Sequence, residues 1–245
     1  MAPTALFSGL DLGSVADFSV LCTVERSPRF EPGTEPQRRP DRRRWRYTVR
    51  WLESWDLGTR YTDIVAGVRD RFETPALKWT RLAADMTGVG VAVVDQIRAA
   101  RVAARVTPVV ITAGHKTTRD EKTGECHVPK KELVSTLLVL MQAGLVKWAD
   151  PRTLPKAGEA GAYRAMLVKL EKELADFRVK LTRAANETFG GDKSQHDDVV
   201  LALMLACWLG EHAGGGAASD AAVGAAGESV VGGAPDGVFA SGKGV

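Results

Sequence analysis

The sequence predicts an α/β domain on a mixed sheet, three antiparallel strands then parallel strands, with helices on both faces. Three observations point there. Strand-type apolar runs come first and in succession, at about 6–12, 18–24 and 45–55. Helical and strand patterns then alternate from residue 60 to 112, the order that parallel pairing with crossover helices requires. A strongly apolar helical run, Val199 to Leu209, follows at the far end. With 245 residues, 44% of them hydrophobic and 26% charged, the chain can bury a sizeable single core.

Leu6 to Leu12 reads as a short buried strand and Phe18 to Val24 as its hairpin partner, with Gly13 and Ser14 in the turn. From Arg26 to Arg50 there are nine arginines, three acids and four prolines, so 26–44 is expected to be a mobile basic insertion. It could grip phosphates or simply stay solvated. Trp45 to Trp55 alternates, with Trp45, Tyr47, Val49 and Trp51 on one face, and gives a third antiparallel strand. Ile64, Val65, Val68 and Phe72 recur at helical spacing and predict a helix over 60–73. Thr80 to Met86 is a strand carrying Asp85, followed by a Gly-containing turn and a helix to about Arg101. Val106 to Thr112 is the next buried strand, and 113–127 a polar loop. Pro129 is expected at the first position of a helix that Gly144 stops. Residues 161–176 predict another helix, and Phe177–Leu181 with Glu187–Phe189 a short strand pair. Residues 213–245, rich in Gly and Ala, are expected to form a flexible tail beyond a domain spanning 1–212.

Composition narrows the function. No apolar run is long enough to cross a membrane, and the first residues lack the order of a signal peptide. Cys22, Cys126 and Cys207 form no spacing motif, which fits a reduced, cytoplasmic setting. The net charge of +3 matters less than its distribution.

Acids in apolar settings carry the chemistry. Asp11 sits in the first strand, Asp85 ends the fourth, and Asp197 and Asp198 start the last long helix. A buried carboxylate is costly unless paired or bound to a metal, and sites in open sheets gather where strand ends meet helix starts. Carboxylates converging there, with few histidines, suit hard cations such as Mg²⁺ or Mn²⁺. Two such ions about 3.5–4 Å apart can activate water and stabilise the leaving oxygen of a phosphodiester. Each acid also has a plain structural role open to it: Asp11 in a turn, Asp85 as a helix cap, Asp197 or Asp198 at a helix N-terminus.

Gly9-Leu-Asp-Leu-Gly13, Asp85-Met-Thr-Gly-Val-Gly90, Val128-Pro-Lys-Lys-Glu-Leu-Val134 and His196-Asp-Asp-Val-Val-Leu-Ala-Leu203 occur in an order and spacing that resemble one family. The chain, over roughly 5–210, looks like the nuclease domain of tailed-bacteriophage terminase large subunits, of the RNase H-like (RuvC-like) superfamily. The resemblance implies an RNase H-like mixed sheet and a two-metal-ion endonuclease acting on double-stranded DNA during genome packaging, in the bacterial host cytoplasm. It assigns catalysis to Asp11, Asp85 and Asp198, and metal ligation to these three and Asp197. Asp198 is preferred to Asp197 because it directly precedes the apolar run. Asp17 and His196 are auxiliary candidates. Arg42, Arg43, Arg44, Lys116, Arg119, Lys130 and Lys131 are candidates for phosphate contacts.

The family's ATPase motor is expected to be missing, so a separate packaging ATPase or portal protein is a candidate partner. The P-loop-like string Gly237–Gly244 has Gly where Ser or Thr should hold Mg²⁺, and no helix pattern follows. A RuvC-like structure-selective resolvase and a non-catalytic DNA-binding or assembly module of the same fold are the alternatives. An actin-like or sugar-kinase ATPase shares only the opening Asp-Leu-Gly strand. Cys126–His127 has no further ligands at zinc spacing, and Met204 and Trp208 are expected in the core.

Overall fold

A computed structural model of the chain describes residues 4–13, 17–29, 45–88, 90–153, 159–183 (backbone only from 178) and 197–213. In chain order the elements are β1 (Ala5–Asp11), β2 (Ser19–Pro28), β3 (Trp45–Trp55), α1 (Tyr61–Phe72), β4 (Arg81–Asp85), α2 (Gly90–Ala99) and β5 (Arg105–Thr112). There follow β6 (Thr118–Arg119), β7 (Cys126–Pro129), α3 (Lys130–Gln142), β8 (Val146–Trp148), α4 (Glu159–Arg183) and α5 (Asp198–His212).

The eight described strands form one sheet in the order β6-β7-β5-β4-β1-β2-β3-β8. β1, β2 and β3 are antiparallel neighbours, while β4 and β5 extend the sheet from β1 in parallel. The centre of the sheet is thus the expected mixed arrangement, three antiparallel strands and then parallel ones, with β1 paired on both sides.

Side chains alternate across a strand, and in β1 this sorts two packing faces. Leu10 joins Ile64, Val68 and Phe72 of α1 and Val93, Val94 and Ile97 of α2 in one buried cluster. Gly9 faces the other way, against α5. A Cβ there would overlap the Ala202 carbonyl oxygen and stand 2.7 Å from the Ala206 nitrogen. Only glycine lets the helix lie this close to the strand. α5 is buried nearly all round, from Val199 to Gly210, as a helix apolar on every side must be. No helix among the described residues is long and apolar enough to cross a membrane.

Several expectations need correcting. The loop 113–127 contains a hairpin: β6 and β7 pair antiparallel, and β7 adds in parallel to β5. Its tip is closed by Asp120, whose carboxylate accepts the Lys122 and Thr123 amides at 2.7 and 3.0 Å, and by Gly124 at φ +75°. Pro129 is the N-cap of α3, not its first helical residue. Its ψ of 132° is extended because it still pairs with Thr112 at the end of β7. Phe177–Leu181 is not a strand but the continuation of α4 to Arg183. Leu170, Leu174, Phe177 and Leu181 follow helical spacing throughout, so the helix simply runs on. β2 continues to Pro28, which draws Arg26 out of the predicted basic insertion and into the interior at 5% exposure. β8, three residues long and parallel to β3, was not expected.

Gly144 does end α3. It has φ +67°, its amide bonds to the Met141 carbonyl, and the Leu145 amide bonds to that of Leu140, which together make a Schellman stop. Met204 and Trp208 are in the core, and the three cysteines are buried and free. The expected strand Glu187–Phe189 lies outside the described residues. So do the insertion from 30 to 44 and the tail after Ala213.

Candidate active site

β1 and β4 run parallel as neighbours, with Leu10 opposite Ala84. Their last residues, Asp11 and Asp85, therefore stand side by side at the carboxyl end of the sheet. Asp11 lies two residues beyond Gly9 and points to the same face, towards α5. One turn before Ala202, α5 begins with Asp198. Three carboxylates from three elements are thereby brought to one end of the sheet, and all are buried: Asp11 6%, Asp85 8% and Asp198 6% exposed.

The electrostatics follow from this placement. Asp11 has its pKa raised well above the ordinary aspartate value, first by burial and then by the negative charges of Asp85, Asp198, Asp197 and Asp17. Every cause acts in the same direction. Asp85 is also raised, chiefly by burial, although bonds from Thr87 and the charge of Lys130 pull it back. The Thr87 amide donates to Asp85 Oδ1 at 2.8 Å. Asp198 Oδ2 accepts the Phe18 amide at 3.3 Å, which ties the β1–β2 connection to the start of α5. Asp197 is more open, and Lys130 Nζ stands 3.6 Å from its Oδ2.

The other expected residues are placed as follows. Asp17 is exposed, and its charge is felt at Asp11. Gly13 holds that loop tight, since a Cβ there would overlap the Asp17 carbonyl. Lys130 and Lys131 open α3 beyond the carboxyl end of β7. Lys116 and Arg119 are exposed before and within β6. His115 and His127 are exposed too, on the loop and on β7. Arg42, Arg43, Arg44 and His196 lie outside the described residues.

One residue at the site escaped the sequence reading. Glu173 of α4 is 8% exposed, and its Oε2 accepts the amides of Val199 and Val200 at 3.0 and 3.1 Å. Burial pushes its pKa up to about 7, against the opposing pull of those amides and of Lys169; the charge of Asp198 adds to the rise. A sequence signal existed: Leu170, Glu173 and Leu174 share one helical stripe, so the glutamate sits on an apolar face.

The donor set can be tested against a metal ion. It is entirely carboxylate oxygen, which suits hard divalent cations and not zinc. The one-directional rise at Asp11 shows a cluster whose negative charge is under-compensated, and a cation would relieve that. Among the described residues no group of three His, Cys, Asp or Glu side chains is already closed around a point where an ion could sit. The fit is thus one of donor type and charge, not of formed coordination.

No protein-family model matches the chain, and no curated protein matches it. Solved structures similar to it include terminase nucleases. The large terminase nuclease from thermophilic phage G20c is 19% identical with a TM-score of 0.46, over 84% of this chain and 82% of that one. The zinc-bound form of that nuclease gives 20% and 0.44, over 84% and 81%. The human cytomegalovirus terminase nuclease domain, Mn-soaked with inhibitor bound, gives 14% and 0.48, over 85% and 84%.

Proposed function

We propose that the protein is a metal-dependent endonuclease that cleaves double-stranded DNA, of the kind that processes viral genomes for packaging. The observation that carries this reading is the meeting of Asp11, Asp85 and Asp198, buried, from β1, β4 and α5, at the carboxyl end of the sheet. Asp11 is the central acid, since it feels the charge of both others, and it would be shared between two Mg²⁺ or Mn²⁺ ions. Asp85 and Asp198 would be the other ligands. The burial of Asp198, set against the openness of Asp197 and its pairing with Lys130, supports Asp198 as the ligand and Asp197 as an outer partner. Bound ions supply an acidified water and Lewis-acid stabilisation of a phosphodiester.

The chain's own residues prepare that chemistry. The Thr87 and Phe18 amides orient Asp85 and Asp198. The charge of Lys130 works, with the Thr87 bonds, against the burial that raises the pKa of Asp85. Lys130, beside Asp197, and the further basic residues Lys116, Arg119 and Lys131 offer positive charge to phosphates, which gives affinity with little sequence preference. A packaging ATPase or a portal protein is the partner this role calls for. The reading is tested with linear duplex and four-way junction DNA in Mn²⁺, Mg²⁺ or EDTA. Metal-dependent cutting of duplex is expected. Cutting confined to junctions indicates a resolvase, and DNA binding without turnover indicates a non-catalytic module.

A further inference from the structure

The start of α5 has an unusual division of labour. Leu201 donates to the Asp197 carbonyl at 2.8 Å, so Asp197 is the N-cap, Asp198 the first helical residue, and Val199 and Val200 the next two. An N-cap aspartate ordinarily turns its side chain onto the amides of those last two residues. Here both amides are taken by Glu173 Oε2, from a different helix. The Asp197 carboxylate is turned instead towards Lys130, and Asp198 towards Asp11 and the Phe18 amide.

We propose that Glu173 is a positioning residue: by capping α5 from α4, it releases both aspartates of the Asp197–Asp198 pair to the acid cluster and fixes the direction in which Asp198 points. This rests on the reading of Asp198 as a metal-site residue. The negative charge also suits the positive end of the helix dipole. Its cost is a carboxylate whose second oxygen, Oε1, is buried without a hydrogen bond, with Lys169 Nζ at 3.9 Å. A surface glutamate on α4 would avoid that cost, so its retention inside has to be balanced by the two amides. If Glu173 is removed, Asp197 is the nearest carboxylate able to turn onto Val199 and Val200. That would pull it off Lys130 and rotate the first turn carrying Asp198.

The test is a calorimetric titration of the full chain with Mn²⁺ alone, without DNA, alongside melting curves. The proteins are wild type, Asp11→Asn, Glu173→Ala, Glu173→Asp and Glu173→Gln. Partners that orient ligands typically contribute 10–100-fold in metal affinity, so Glu173→Ala should weaken Mn²⁺ binding about tenfold. Glu173→Asp, too short to reach both amides, should do the same, and decides the question where the alanine variant does not fold. Glu173→Gln keeps one carbonyl oxygen for both amides and should bind close to wild type. If the alanine and aspartate variants melt lower but bind Mn²⁺ as wild type does, Glu173 is only a structural cap and the proposal fails. Equal weakening in the glutamine variant also overturns it, since charge and not orientation would then be responsible. Absence of Mn²⁺ binding in wild type overturns the metal centre itself, and the proposal with it. Binding lost in Asp11→Asn but unaltered at position 173 overturns the proposal alone.

Discussion

Replacing Glu173 with Gln should flatten the pH dependence of stability in the metal-free protein. The folded-state pKa of Glu173 is raised from 4.5 to about 7, so the stability this group contributes is fully present below pH 4.5 and is lost as pH rises through 7. At about 1.36 kcal/mol for each pH unit, the full loss is about 3 kcal/mol, complete near pH 8. The side chain is 8% exposed, so solvent does little to screen it. For a chain of this size about 3 kcal/mol corresponds to about 6–12 °C in Tm. Thermal melts of both proteins in EDTA between pH 5 and pH 8 read it directly. Asp11 and Asp85 also oppose folding as pH rises, but they do so in both proteins and cancel in the difference. Wild type should therefore lose about 2.5 kcal/mol more than the variant over this range. Parallel profiles would mean that Glu173 ionises in the folded protein as it does in the unfolded chain.

Other outcomes follow from the same geometry. Asp11→Asn should melt above wild type at pH 8 in EDTA, because it removes a carboxylate that burial and four like charges oppose. Wild type at Mn²⁺ one hundred times its dissociation constant should gain about 2.7 kcal/mol, which Asp11→Asn should forfeit; a melt in Mn²⁺ and in EDTA measures both. Gly9→Ala should cost about 1–3 kcal/mol in a urea titration, because the added methyl meets the α5 backbone; an unchanged midpoint would mean the helix is not seated on β1. Lys131→Ala should lower the slope of log K against log salt for duplex DNA by about 0.9, and an unaltered slope would remove Lys131 from the phosphate contacts.

The legible part of the fold and site was the part written in long patterns. Asp11 stands out because β1 offers it only apolar and small neighbours, and Asp198 because the polar run before it stops and the apolar α5 begins there. The parallel order of β4 and β5 could be read from alternating periods. β6, β7 and β8 could not, since segments of two to four residues hold too little period to register. Phe177-Arg-Val-Lys-Leu181 satisfies both an alternating and an i, i+4 spacing, and the preceding stripe of Leu170 and Leu174 decides for the helix. Glu173 was hidden for a different reason. A glutamate in a charged helix looks like surface until another helix is placed with its first amides against it, and that juxtaposition is tertiary.

On the function proposed above, Asp11, Asp85 and Asp198 form one metal-dependent nucleolytic centre. Its most direct test is supercoiled plasmid cleavage with a Mn²⁺ or Mg²⁺ titration, comparing wild type with Asp11→Asn, Asp85→Asn and Asp198→Asn. Nicking and linearisation by wild type are expected, abolished by EDTA and by each substitution alone, with the three variants still folded. Cleavage that persists in Asp11→Asn and Asp85→Asn would contradict it.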